Sequence, residues 1–285
     1  MDLTLIGHDG VRWNIHGRHA AAQGVALLKG SKKMWEAPIK AVWMAGAFQE
    51  GSTYLGYKTE ALDLVLVIGV RGKDREEWQR TDSQFIASMG SPDDEVTLEA
   101  RSSSGVRHLT MRLVASPELA GDYEEHKNSF SQYVMQFRAG WPRWVGETQS
   151  SVWTAGASND SGFVTVTNPT DTWLYPQWAC TAPGRWVIPD FSWGDDGQAS
   201  RLITTPTLAP GQDLTIDTYP ANEPYVARDG SNIAGRFGGV MFLHPVPPHT
   251  PPTPLPVRLE AGTAGAGIML RMPRNYRRPW GGDLQ

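Results

Sequence analysis

Seven histidines, 30 acidic residues and a single cysteine are the groups in this 285-residue chain that could do metal or covalent chemistry. Their spacing builds none of the familiar sites. His16 and His19 stand three apart, but no carboxylate lies within six residues of either, and H-E-x-x-H is absent. His8, His108, His126, His244 and His249 are scattered. The acidic clusters Asp93-Asp94-Glu95 and Glu124-Glu125 lack the spacing of a calcium loop and read as a loop and a helix start. No G-x-S-x-G elbow occurs, and Cys180 has no histidine near it in sequence; in Trp178-Ala179-Cys180 it reads as a small hydrophobe. A glycosidase needs two carboxylates converging on one cleft. Asp190, Asp195, Asp196, Asp213 and Asp217 are the candidates for such a pair, yet they sit largely among Gly and Pro, where acids usually form turns. Gly262, Gly265 and Gly267 lead into a strand pattern rather than a helix, so they fail the dinucleotide fingerprint. No catalytic residue, metal or cofactor is expected.

Recognition groups are more abundant. Trp173, Tyr175, Trp178, Trp186, Phe191 and Trp193 fall within 21 residues. Aromatic rings stack on sugars and anchor interfaces, so Trp173, Trp178, Trp186 and Trp193 are candidate glycan-binding or partner-binding residues; the competing reading is a packed core. Near the C-terminus, Arg271, Arg274, Arg277, Arg278 and Trp280 lie in a stretch, Ala261 to Gly282, without a single acid. Guanidinium forks beside an indole suit docking on a protein surface. The competing reading is a solvated basic tail.

The elements that must position these groups are mostly strands. Asp74 and Glu77 fit a capping box, and Trp78, Phe85, Ile86 and Met89 follow on one helical face before Gly90-Ser91-Pro92. A second helical candidate covers Ser116–Ser131. Leu62–Val70 reads as a central strand, and Val96–Ala100 and Val106–Leu113 flank a turn at Ser102–Gly105. Val134, Met135, Phe137 and Trp141 suggest another strand. Beyond residue 142, short strands are expected at Phe163–Asn168, Arg185–Ile188, Arg201–Thr205, Leu214–Tyr219, Gly239–Leu243, Val257–Glu260 and Ile268–Met272, the pattern of an antiparallel sandwich. Pro usage shifts with them: 4 of 21 prolines precede Arg143, while all seven lysines lie at or before Lys127. His244–Pro256 holds seven prolines in thirteen residues and reads as a stiff connector or a reaching arm.

Whole-chain numbers exclude more than they assign. A net charge of −4 gives no basic footprint for nucleic acid, and one cysteine builds no disulfide scaffold. MDLTLIGHDG has no basic n-region or apolar core, so no signal peptide is expected, and no apolar run approaches the length of a membrane span.

Three segments carry a resemblance. Asn168-Pro169-Thr170-Asp171-Thr172-Trp173-Leu174-Tyr175-Pro176 is similar to an N-x-G-D-x-x-x-x-P segment of siphophage distal tail proteins, with Thr170 where glycine is usual. Gly211-Gln212-Asp213-Leu214-Thr215-Ile216-Asp217-Thr218 resembles that family's G-(E/D)-x-L-x-I-D-T strand. The R-R-P-W-G ending at Arg277–Gly281 is similar to minor tail proteins of actinobacteriophages. The resemblance implies a mainly β protein: a β-rich, split-barrel-like belt domain with a helix at residues 1–135, a linker at 136–146, a galectin-like antiparallel β-sandwich at 147–272 and a basic tail at 273–285. It implies a structural, non-enzymatic role in the virion tail tip after assembly in the host cytoplasm. The implied partners are five further copies in a hexameric ring, the tail-tube protein, and the hub, tail-associated lysin or baseplate, with DNA met only in passage through the channel. Host wall glycan is a further candidate partner. Against this stand a free carbohydrate-binding module using the aromatic cluster and a wall hydrolase.

Overall fold

The computed structural model describes residues 1–120, 125–194 and 197–283, with the side chains of Glu125 and His126 also left aside. Glu124, Asp195 and Asp196 therefore lie outside the described residues. The described residues form two compact units, Met1–Val145 with Tyr276–Gly281, and Gly146–Asn275 with Gly282 and Asp283.

Unit 1 contains β1 (Asp2–Ile6), β2 (Arg12–His16), β3 (Val25–Leu27), β4 (Ile39–Met44), β5 (Thr53–Thr59), β6 (Leu62–Arg71), α1 (Arg75–Met89), β7 (Val96–Ser102), β8 (Gly105–Leu113), β9 (Glu118–Leu119), α2 (Glu125–Asn128), β10 (Phe130–Ala139) and β11 (Trp144–Val145). Its main sheet runs β2-β1-β7-β8-β10-β6-β3. The end strands β2 and β3 approach each other, so the sheet is a nearly closed barrel. The backbone is β6 against β10, antiparallel from Leu62↔Ala139 to Arg71↔Phe130. Leu62, Leu64, Leu66, Ile68 and Val70 point from β6 into the core at the two-residue period, meeting Met135, Phe137 and Ala139.

Helix α1 forms where the capping signal stands. The Asp74 carboxylate accepts from Glu77 N at 2.8 Å, and Glu77 Oε2 accepts from Lys73 N at 3.0 Å. Trp78, Phe85 and Met89 are buried, and Gly90, at φ 64°, ends the helix. The indoles are held at both ends of the helix: Trp78 Nε1 donates to Ser131 Oγ and Trp13 Nε1 to Ser88 Oγ.

Of the expected helix over Ser116–Ser131, residues 121–124 lie outside the described residues, Glu125–Asn128 is the short helix α2, and Glu118–Leu119 and Phe130–Ser131 are strand, in β9 and β10. The reason is tertiary: Glu118 and Leu119 pair with Val134 and Tyr133, and local helix propensity yields to that ladder. The expected linker 136–146 also differs, because residues 136–139 continue β10 against β6 and Trp144 is a core residue. The compact unit ends at Val145 instead.

Unit 2 contains β12 (Gln149–Thr154), β13 (Asp160–Asn168), β14 (Gln177–Cys180), β15 (Arg185–Pro189), β16 (Leu202–Thr204), β17 (Leu214–Asp217), β18 (Tyr225–Ala227), β19 (Thr250–Glu260) and β20 (Gly267–Met272), and β21 (Asn275–Tyr276) crosses the boundary between the units. One sheet runs β12-β20-β14-β17-β18 and the other β13-β19-β15-β16, all antiparallel. Their inward residues share one core, with Val164, Trp186, Ile188 and Leu259 from one sheet and Trp178, Ile216, Ile268 and Leu270 from the other.

Two expectations change here. Gly239–Leu243 is not a strand; Leu243 and His244 instead donate their backbone N–H groups to the buried Asp190 carboxylate at 2.9 and 3.1 Å. The proline-rich stretch is in part strand, since Thr250–Pro256 continues into β19 and pairs with β13. Proline cannot donate to a ladder. Here it need not on the second side, because β15 meets β19 only at Arg258–Glu260, beyond the last proline.

Candidate assembly surface

The segment least satisfied by its own unit is the β4–β5 hairpin. It is a separate two-stranded sheet, and every residue of β4 is exposed. Ile39, Val42, Trp43, Met44, Phe48, Tyr54, Leu55 and Tyr57 are all exposed, with Trp43 at 57% and Phe48 standing free at the tip. Local chemistry explains why it forms. Trp43 lies opposite Tyr54, their rings edge to face at 5.1 Å, a pairing worth about 1 kcal/mol. The register shifts between Val42↔Gly56 and Trp43↔Tyr54, so Leu55 is an extra residue in a bulge, and Gly56 accommodates it at φ 139°. Gln49 fixes the tip, accepting from Gly46 N and donating to Thr53 Oγ1 at 2.8 Å.

Two strands without a covering layer are marginal in water. The exposed apolar residues present on the order of 1,000 Å², more than the ~800 Å² that each partner brings to a typical stable interface. The sequence signal was present, as two apolar runs around Gly46 and Gly51, but nothing in it distinguishes a projecting hairpin from a core one.

The other candidates are placed differently. Trp178 and Trp186 are core residues of unit 2 and offer no ring face to a ligand; Trp186 donates Nε1 to Thr181 O at 2.9 Å and meets Trp153 edge to face. Trp193 is half-buried against the same core, and Trp173 is 50% exposed. The cluster is thus split between interior and surface, because Gln177–Cys180 and Arg185–Pro189 are strands with an opposite sheet to pack on. Arg271 is exposed on β20. Arg274 is buried and donates to Thr167 O and Gln149 Oε1. Arg277 and Arg278 pair with Glu36 at 3.6 and 2.8 Å, and Trp280 meets Trp35 at 5.1 Å. The basic segment is engaged by its own chain.

Among the described residues, Asp190, Asp213 and Asp217 are each engaged separately. Asp190 is salt-bridged to Arg201 besides its two backbone donors. Asp213 accepts from Ala182 N and pairs with Arg228, while Asp217 accepts from Tyr219 N, Gln177 and Asn222. Each closes a turn or loop. Burial drives the Cys180 thiol well above its usual range, which leaves it protonated and unreactive. Among the described residues no group of three His, Cys, Asp or Glu is placed to hold a metal, and no helix is long and apolar enough to cross a membrane.

The resemblance segments have clear physical roles. Asn168 is fully buried; its amide donates to Thr172 O, Val246 O and Pro247 O, and its Oδ1 accepts from Thr170 N and Oγ1. One side chain thereby fastens the loop after β13 to the chain entering β19. Leu214 and Ile216 fill the core, and Thr218 Oγ1 donates to Pro176 O at 2.8 Å.

In sequence and in fold alike, the chain matches the distal and minor tail proteins of siphophages. It is 24% identical to minor tail protein Gp27 of Mycobacterium phage D29 and 23% identical to Gp27 of Mycobacterium phage L5, over 335 aligned positions spanning 98% of either chain. Its fold is similar to the crystal structure of the Dit protein (gp 19.1) of phage SPP1, described as a paradigm of the hub adsorption apparatus in phages infecting Gram-positive bacteria. That match has a TM-score of 0.63 at 12% identity and covers 95% of this chain and 98% of the other. A chain of the phage p2 baseplate in its activated, calcium-bound conformation matches at a TM-score of 0.51 and 12% identity, covering 96% and 97%. No protein-family model matches the chain.

Proposed function

We propose that this chain is a structural distal or minor tail protein of the tail-tip adsorption apparatus, assembled in the host cytoplasm and carried in the virion tail tip as a hexameric ring. The observation that carries the ring is the uncovered β4–β5 hairpin. A ring closes through one heterologous contact repeated around an axis, which needs a projecting element on one side of each copy and a receiving surface on the other. The hairpin supplies the projecting element, and burial in a neighbour removes the aggregation hazard of an apolar, two-sided strand pair. In this reading unit 1 is the belt, unit 2 is a galectin-like sandwich, and the ring joins the tail tube to the hub, tail-associated lysin or baseplate while DNA passes through its channel. The chain acts by geometry and catalyses no reaction. Mass photometry and electron microscopy of the purified chain test this: a closed six-fold ring is expected, together with labelling of the tail tip by an antibody against the chain. A monomer at micromolar concentration with no tail-tip label overturns it.

A further inference from the structure

Tyr276–Gly281 belongs to unit 1 although the whole of Gly146–Asn275 lies between it and Val145 in sequence. It is seated rather than trailing. Tyr276 is a core residue, and the guanidinium of Arg107, itself 1% exposed, lies 3.4 Å from the centre of its ring. Arg107 Nη1 also donates to Arg278 O at 2.8 Å, so the segment supplies both a ring face and a carbonyl to one buried cation. Glu36 holds Arg278 through Nε at 2.9 Å and Nη2 at 2.8 Å, Trp280 packs edge to face on Trp35, and Gly281 N donates to Ser104 Oγ at 3.0 Å.

These contacts differ in kind. The Glu36 pairs are exposed and contribute little. The Arg107 contacts matter more, because guanidinium stays charged when buried and its lost hydration must be replaced by fixed acceptors and π faces. Removing Tyr276 takes away the ring, and releasing the segment takes away the carbonyl as well.

We propose that Tyr276–Gly281 is a latch that completes unit 1, so that this unit reaches full stability only once unit 2 and the segment that follows it have been synthesised. Ring formation plays no part in the argument, and the latch stands or falls independently of it.

The test is hydrogen exchange followed by mass spectrometry on the full chain, comparing wild type, Tyr276→Phe, the double variant Tyr276→Ala/Trp280→Ala, and Arg271→Ala as a control outside the segment. The double variant is expected to exchange roughly tenfold or more faster in β7, β8 and residues 32–37. β14, β17 and β20 are expected to be unchanged, and Tyr276→Phe, which keeps the ring, to behave as wild type. Unchanged exchange in β7 and β8 of the double variant overturns the latch. Should the double variant unfold, limited proteolysis decides: digestion confined to residues 1–145 with a surviving unit 2 supports the latch, and joint loss of both units overturns it. Trp280→Ala alone, the milder change, is expected to show the same pattern with a smaller acceleration.

Discussion

Residues 39–59 and 173–193 are both short, aromatic-rich segments of mixed strand and turn, and the fold treats them oppositely. In the second, Trp178 and Trp186 are sealed between two sheets. In the first, Trp43, Phe48, Tyr54 and Tyr57 all face solvent. Composition does not separate them. What separates them is whether a second layer lies opposite, since a strand pair buries a face only when another element covers it. The aromatic run that looks like a binding surface is largely core, and the hairpin that looks unremarkable is the surface.

Substitutions can break or sharpen this contrast. Trp186→Ala should cost about 3–5 kcal/mol, a large fraction of the stability of one unit, seen in thermal or denaturant unfolding of unit 2. Asn168→Ala removes the buried amide that ties Thr172 O, Val246 O and Pro247 O to one side chain, and takes its Oδ1 acceptor from the buried Thr170 N and Oγ1; a loss of about 1–3 kcal/mol is expected in the same assay. The double change Trp43→Ser/Phe48→Ser should alter monomer stability by no more than about 1 kcal/mol. It should abolish rings in mass photometry; rings that persist would exclude the hairpin from the contact.

Acid gives a weaker effect, which in unit 1 centres on Glu99. Burial by itself would raise the Glu99 pKa, but the hydrogen bond and charge of Arg12 at 2.7 Å, with His108 at 3.3 Å, bring it below its ordinary value. A carboxylate with a depressed folded pKa contributes stability that is present above its unfolded pKa and is lost as pH falls through the folded one. Unit 1 should therefore weaken progressively below about pH 4.5, and Glu99→Gln should be less stable at neutral pH but lose less on acidification. The smallest expected effect belongs to Trp173, the exposed member of the aromatic run. If unit 2 binds wall glycan through that ring, Trp173→Ala should remove glycan-array signal without changing stability; an unchanged signal excludes Trp173 as the platform.

Legibility in the sequence followed the range of the interactions. Helix α1 is readable because its cap, its apolar face and its terminal glycine all lie within about twenty residues. The β7–β8 hairpin is readable for the same reason, its turn closing at Ser102↔Gly105. The helix expected over Ser116–Ser131 fails at Glu118–Leu119, where β10 takes the backbone into a ladder. The prolines of β19 could be placed in a strand only once it was known which of its edges β15 leaves unpaired.

By itself the sequence determined the mainly β class and helix α1, and three short segments carried the resemblance to distal tail proteins. All of these rest on local spacing and local composition. Tertiary structure alone decided which aromatics are surface and which are core, that Arg274 is buried, and that Tyr276–Gly281 returns to complete unit 1. Those outcomes depend on which elements meet across tens of residues for the aromatics and more than a hundred for Arg274 and Tyr276, and burial is a property of that meeting rather than of any side chain.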